Sequence, residues 1–248
     1  MSKEIYLKQI KDAFLQLNYE LTDKQAEQFY RYYELLVETN KVMNLTAITE
    51  FQDVLVKHFI DSGALMKAID LKNCKKLIDI GTGAGFPGVP LKILYPHLQV
   101  TLLDSLNKRI NFLRQVADEL GLENVEFLHG RAEDYARQKE YRESYDICVS
   151  RAVANLSTLS EYCIPYVKKN GWFIPYKSGK ISEELEQAGY AVKELGCVIE
   201  RSEEFYLPDT EIERMFVFIE KVKPTSGKYP RKAGLPGKEP LSNKEKQK

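Results

Sequence analysis

The stretch Ile78-Asp79-Ile80-Gly81-Thr82-Gly83-Ala84-Gly85-Phe86-Pro87-Gly88 places four glycines in eight positions directly after a short apolar run. Glycine weakens any element it sits in, so this density belongs where backbone must turn sharply or approach a ligand closely. Outward from it, apolar runs recur every 20–26 residues: KLIDI (76–80), VTLLD (100–104), VEFLH (125–129), YDICVS (145–150) and GWFIPY (171–176). Stretches of helical period separate them. That alternation predicts a mostly parallel sheet with right-handed crossovers. The clearest crossover helix follows VTLLD, with Ser105 as its expected cap, Leu106, Ile110, Leu113, Val116, Ala117 and Leu120 as its buried stripe, and Gly121 closing it.

Toward the N-terminus, Ile5, Ile10, Phe14, Leu15 and Leu17 recur at loosely helical spacing, and Thr22-Asp-Lys-Gln25 reads as a capping box opening a second helix. No strand is legible in the first seventy residues, so residues 1–71 read as a helical cap on a core of residues 72–222. Within that core a helix is expected at about 180–190. Two extended runs follow, Val192–Tyr206 and Ile212–Val222, joined by Leu207-Pro-Asp-Thr-Glu211, and so short a turn makes them pair antiparallel. A mostly parallel seven-stranded sheet whose last two strands form an antiparallel hairpin is the shape of a class I, Rossmann-like methyltransferase. Residues 223–248, rich in Pro, Gly and Lys, read as a tail or flexible flap.

The chain has 248 residues, 44% of them hydrophobic, and 36 basic residues balance 36 acidic ones. Disorder throughout is excluded. The balance hides an asymmetry: from Lys221 onward nine cations face two acids, Glu239 and Glu245, so this end carries +7 and the remainder −7. Four scattered cysteines, with no C-x-x-C pair, and three histidines give no zinc signature. MSKEIY lacks an apolar signal region behind it, and no run is long enough to span a bilayer. The chain reads as a soluble, monomeric cytoplasmic protein with reduced thiols and no metal or membrane partner.

The glycines parse as G-x-G-x-G from Gly81 or as G-x-G-x-x-G from Gly83, which leaves S-adenosyl-L-methionine and a dinucleotide both open. Three features favour adenosylmethionine. Asp79 sits where a dinucleotide would bring a pyrophosphate, and a second anion there is unfavourable. Asp104 ends the second strand, placed to accept ribose hydroxyls, which suits either cofactor. The terminal hairpin is foreign to a plain dinucleotide fold. At the next two strand ends, Gly130-Arg-Ala132-Glu133 can bracket an adenine, and Ser150-Arg151-Ala152 brings a guanidinium whose partner is the cofactor carboxylate or the acceptor base. The bland alternatives are a first-turn acid on the helix dipole for Glu133 and a surface ion pair for Arg151.

The acceptor is constrained by what is missing. No Pro-Pro-aromatic run for exocyclic-amine methylation follows the fourth strand, and no Pro-Cys nucleophile for carbon methylation is present; Cys148 and Cys163 read as buried fillers. A ring nitrogen with a free lone pair, such as guanine N7, needs no general base and gains its acceleration from proximity.

Taken together, Asn44-Leu-Thr-Ala-Ile48, Val56-Lys-His58-Phe-Ile-Asp61-Ser62, the loop from Ile78 to Leu91, Leu102-Leu-Asp-Ser-Leu-Asn-Lys108-Arg109 with Phe112-Leu113, and Ser150-Arg-Ala152 resemble the RsmG (GidB) family, and Lys228–Leu241 resembles its Gram-positive-type members. The resemblance implies methylation of guanine N7 in the decoding-region loop of 16S ribosomal RNA, in the small ribosomal subunit or its assembly intermediate. It places Gly81, Phe86, Ala132-Glu133 and Arg151 at cofactor positions, beside Gly83 and Asp104 from the residue reading. For RNA contact the candidates are Lys108 and Arg109, Lys177 and Lys180 around Gly179, and Arg231 and Lys232 next to Tyr229. Arg109 could equally buttress Asp104. The final KEKQK reads as solvated as readily as RNA-bound. His58 and Asp61, three apart, read as polar contacts between cap and core. A small-molecule methyltransferase, a nicotinamide-dependent oxidoreductase and a non-enzymatic RNA-binding module are the competing readings.

Overall fold

In a computed structural model that describes residues 2–151, 154–179 and 181–242, the five apolar runs are parallel strands: β1 (Lys76–Ile80), β2 (Gln99–Asp104), β3 (Val125–His129), β4 (Tyr145–Ser150) and β5 (Val167–Lys177). β6 (Cys197–Tyr206) and β7 (Glu213–Lys221) pair antiparallel, and β7 pairs antiparallel with β5, giving the order β3-β2-β1-β4-β5-β7-β6. This is the class I methyltransferase sheet expected from the sequence. The strand order reverses between β1 and β4, and the crevice over their carboxyl ends is where open sheets of this kind bind ligands.

Side chains that alternate along each strand fill two apolar layers. Leu77, Ile147, Val149, Phe216 and Phe218 face one layer, while Ile78, Cys148, Val217 and Ile219 face the other. The first layer is completed by α6 (Gly88–Leu94), α7 (Asn107–Leu120) and the N-terminal helices; the second by α8 (Ala132–Tyr135), α9 (Leu156–Cys163) and α10 (Ser182–Glu194).

The N-terminal section consists of α1 (Lys3–Leu15), α2 (Asp23–Met43) and a run of helical turns: α3 (Phe51–Val54), a π-helical turn at Leu55–Ile60, α4 (Asp61–Gly63) and α5 (Leu65–Ala68). The expected capping box is present, with Thr22 and Gln25 bonding reciprocally. Gln25 Nε2 donates to Ile93 O (2.9 Å), Tyr19 Oη to Leu94 O (2.9 Å) and Gln28 Nε2 to Leu120 O (2.8 Å). Those carbonyls end α6 and α7, where no intrahelical donor remains, so the N-terminal side chains cap the core's helices.

Three local expectations are corrected. Ser105 makes no cap on α7; Asp104 Oδ1 accepts from Leu106 N at 2.9 Å instead, because the carboxylate at the strand end reaches the exposed amide first. The run expected to be extended from Val192 stays helical to Glu194, since Ala188, Ala191 and Val192 lie on one buried face of α10. The segment after β7 does not lie free: Thr225, Tyr229, Pro230, Pro236 and Leu241 are buried, and a short helix, α11 (Leu235–Lys238), packs near α9. Lys180 and the final KEKQK lie outside the described residues, as do Ala152 and Val153.

The glycine loop tests how tightly the layers meet. Gly85 has φ +104°, and a Cβ there would lie 2.5 Å from Tyr32 Oη and 2.7 Å from Leu113 Cδ2. Gly85→Ala is therefore expected to lower the free energy of unfolding by about 2–4 kcal/mol, from combined overpacking and backbone strain. Urea denaturation checks this, and a loss under about 0.5 kcal/mol would contradict the packing described.

Candidate active site

Asp79 lies at the end of β1, fully buried. Its Oδ2 accepts from Thr82 Oγ1 (2.7 Å) and from Gly88 N (2.9 Å), which staples both ends of the glycine loop to the strand. Asp79 thus orients the loop from beneath. At the end of β2, Asp104 Oδ2 accepts from Gly83 N (2.9 Å) and from Arg109 Nη1 (3.2 Å), so Arg109 does buttress the acid. Asp104 Oδ1, bonded to Leu106 N, keeps a lone pair for a hydroxyl donor.

These groups surround a cavity of about 470 Å³ that also receives Phe86, Ala132, Glu133, Arg151 and Tyr162. All seven residues expected at the cofactor, Gly81, Gly83, Phe86, Asp104, Ala132, Glu133 and Arg151, line it. At Gly83, φ is +63° and a Cβ would meet nothing within 4 Å, so the backbone borders open space. An acid with a lone pair free at the β2 end, a bare glycine edge and a second acid after β3 are chemically suited to the adenosyl part of adenosylmethionine. Among the described residues no group of three or more His, Cys, Asp or Glu is placed to hold a metal ion.

Behind the cavity is a charged junction that the N-terminal helices complete. Asp61, 2% exposed, bridges Arg151 Nη1 (2.9 Å) and Arg214 Nε (3.0 Å). Arg151 also donates to Lys57 O at 3.1 Å, and its guanidinium sits 5.1 Å from the Phe86 ring centroid. His58 stacks on Phe86 with centroids 4.4 Å apart. Its Nδ1 lies 3.1 Å from both Arg151 Nη2 and Lys57 O, and its Nε2 lies 3.1 Å from Thr46 Oγ1. Burial first, and Arg151 second, push the His58 pKa down to about 4. Asp79 is pushed the other way, up to about 6, chiefly by burial. A second cavity of about 620 Å³, lined by Lys57, Asn155, Lys177 and Arg214, shares the wall formed by His58 and Arg151.

Comparison with known proteins places this arrangement. The model of the GidB family, rRNA small subunit methyltransferase G, matches residues 25–209. The chain belongs to this family. Ribosomal RNA small subunit methyltransferase G of Lachnoclostridium phytofermentans is 56% identical over 228 residues, covering 92% of this chain and 94% of the relative. The protein of the same name from Staphylococcus epidermidis is 54% identical over 222 residues, covering 90% and 92%. Among solved structures, TrmN from Thermus thermophilus matches at TM-score 0.50 and 18% identity over 68% of this chain and 53% of that one, a likeness of fold.

Within the family fold, the expected RNA-contacting cations are placed unequally. Lys108 and Lys232 are exposed, and Lys108 Nζ reaches Met43 O at 3.2 Å. Lys177 is turned inward onto Glu184 (2.6 Å), 9% exposed. Arg231 is likewise taken up, by the fully buried carboxylate of Glu161 (2.6 Å). Lys177 is thus paired with a half-buried acid of α10 and Arg231 with a fully buried acid of α9, which leaves Lys108 and Lys232 as the exposed candidates. Glu133 is not merely a first-turn acid, since its Oε1 accepts from Gly234 N at 2.8 Å, nor is Arg151 a surface pair. Sequence reasoning missed Thr46, Tyr162 and Arg214 as wall residues; the i,i+3 spacing of His58 and Asp61 was the one signal pointing to the junction.

His58 and Asp79 make opposite contributions to stability. The unfolded chain protonates His58 near 6.5 and the folded chain near 4, so that contribution is lost as pH falls through this interval. Folded Asp79 holds a proton up to about 6 that the unfolded chain releases near 3.8, so its contribution is lost as pH rises across that range. A His58→Gln variant should therefore lose stability relative to the parent as pH rises from 4 to 6.5. Urea midpoints across a pH series test this; a constant difference would mean that His58 titrates normally.

Proposed function

We propose that this chain transfers a methyl group from S-adenosyl-L-methionine to N7 of a guanine in 16S ribosomal RNA of the small ribosomal subunit. The observation that carries the reading is the glycine loop locked to Asp79 and Asp104 beside an open cavity, in a chain matched by the family model across residues 25–209.

Asp104 would take the ribose through its remaining lone pair, Glu133 the exocyclic amine of the adenine, and Gly81 and Gly83 would border the methionyl part. Bound there, adenosylmethionine supplies an electrophilic methyl. Arg151, clamped by Asp61, faces both cavities and would orient either the cofactor carboxylate or the acceptor. His58 has both ring nitrogens engaged and stays neutral, so it stacks and orients and does not act as a base. That suits an acceptor nitrogen with its own lone pair, for which alignment with the methyl supplies the rate. RNA would approach over Lys108 and Lys232, with the protein acting as a cytoplasmic monomer; among the described residues no helix is long and apolar enough to cross a membrane.

Two measurements decide this. Small-subunit rRNA from a strain lacking the gene, incubated with the protein and methyl-labelled adenosylmethionine, should gain label at one guanine N7. Label elsewhere, or none, rejects the reading. Gly83→Asn keeps a residue type that tolerates positive φ while filling the cavity edge, and should weaken adenosylmethionine binding more than about tenfold with the fold intact.

The cations give an independent test. Lys108→Ala and Lys232→Ala should each weaken RNA binding and reduce the slope of log affinity against log salt by about 1, leaving cofactor affinity unchanged. Unaltered slopes would move the RNA surface elsewhere.

A further inference from the structure

Residues 223–242 have a role that their composition hides. They cross the face formed by α8 and α9 as a strap held at successive points. Thr225 N donates to Glu143 Oε1 (2.7 Å), and Arg142 donates to Thr225 O (2.8 Å) and Tyr229 O (2.9 Å). Tyr229 is buried at 6% exposure. Arg231 then meets Glu161 through its backbone N–H (2.7 Å), its Nε and its Nη2, a multidentate pair on a carboxylate with no solvent exposure. Further along, Pro236 O accepts from Thr158 Oγ1 at 3.2 Å.

Between the Arg231 anchor and the Pro236 contact lies Gly234, at φ +83°, whose N–H donates to Glu133 Oε1 at 2.8 Å. Glu133 is 3% exposed and belongs to the wall of the cofactor cavity, as does Tyr162, whose hydroxyl would lie 3.2 Å from a Cβ at Gly237. Buried ion pairs add little net stability but can set register, and this one fixes which amide reaches the acid. One carboxylate oxygen is thereby occupied, so the group has a defined rotamer and its other oxygen a defined direction.

We propose that the strap is a positioning element of the cofactor site: Arg231 and Gly234 aim Glu133 at the exocyclic amine of the adenine, and adenine selectivity depends on them. The proposal rests on the adenosylmethionine reading above. It revises the reading of residues 223–248 as a tail or flexible flap whose cations Arg231 and Lys232 serve RNA contact.

The test compares S-adenosylhomocysteine with S-inosylhomocysteine, which carries a carbonyl oxygen in place of the amine, by calorimetric titration. The proteins are the full chain, Glu133→Gln, Gly234→Pro and a chain lacking residues 226–248. The full chain should prefer the adenine ligand by about tenfold or more, the worth of one hydrogen bond to a charged group. Gly234→Pro removes the donating N–H and, because proline's fixed negative φ cannot follow the +83° turn, also shifts the strap from its register; it and the shortened chain should bring the ratio to about twofold or less, with S-inosylhomocysteine affinity changed by less than about threefold. Folded variants in which both affinities fall together and the ratio is unchanged overturn the proposal. If the shortened chain does not fold, Gly234→Pro decides. Retained selectivity in Gly234→Pro, with selectivity lost in Glu133→Gln, overturns the strap's role while sparing the site. Retained selectivity in Glu133→Gln removes Glu133 from the adenine site and the proposal with it.

Discussion

Everything at the carboxyl end of the sheet depends on the carboxylate of Asp79. Burying an acid is costly unless its oxygens are bonded, and Asp79 offsets that cost only in part: Oδ2 accepts from Thr82 Oγ1 and Gly88 N, while Oδ1 is buried without a partner and burial raises the pKa. The two bonds hold the start and the end of the loop against β1, which leaves little room between. At Gly88 a Cβ would lie 2.9 Å from that same oxygen and 2.4 Å from Leu102, so the constraint dictates a glycine. From the stapled loop, Gly83 N is directed to Asp104, and Asp104 in turn receives Leu106 N and Arg109 at the start of α7. One buried acid thereby couples β1, β2 and two crossover helices.

The same loop carries Phe86 under His58 and Tyr32, which ties the N-terminal helices into the site. Asp61 and His58 come from the helical turns between residues 51 and 68, and the π-helical turn at Leu55–Ile60 sets their facing. Such turns recur at functional sites because the extra residue per turn redirects side chains. Arg151 is satisfied only when both halves are assembled, since its partners Lys57, His58 and Asp61 are all N-terminal. The helical section therefore walls the crevice at the carboxyl end of the sheet as well as capping the core.

Sequence alone determined the architecture and which residues converge on the crevice at the carboxyl end of the sheet. The five apolar runs, the capping box at Thr22 and the closing Gly121 depend on local periodicity and on backbone preferences, which act through neighbours in the chain. The glycine loop with Asp79, Asp104 and Glu133 was legible for a related reason: in a parallel sheet the carboxyl ends of strands share one edge, so residues at strand ends converge wherever they lie in the chain.

Tertiary structure decided the partners of charges. Lys177, Arg231 and Arg151 read alike in sequence, as cations near a site, yet the first two are consumed by Glu184 and Glu161 and the third is held by Asp61. The segment beyond β7 has the composition of a solvated tail, but Arg142, Glu143 and Glu161 bind its backbone and side chains to the core. Local sequence carries no record of such pairings. The energy of a buried charge depends on which opposite charge the fold brings within a few ångströms, and that distance exists only after the layers have packed.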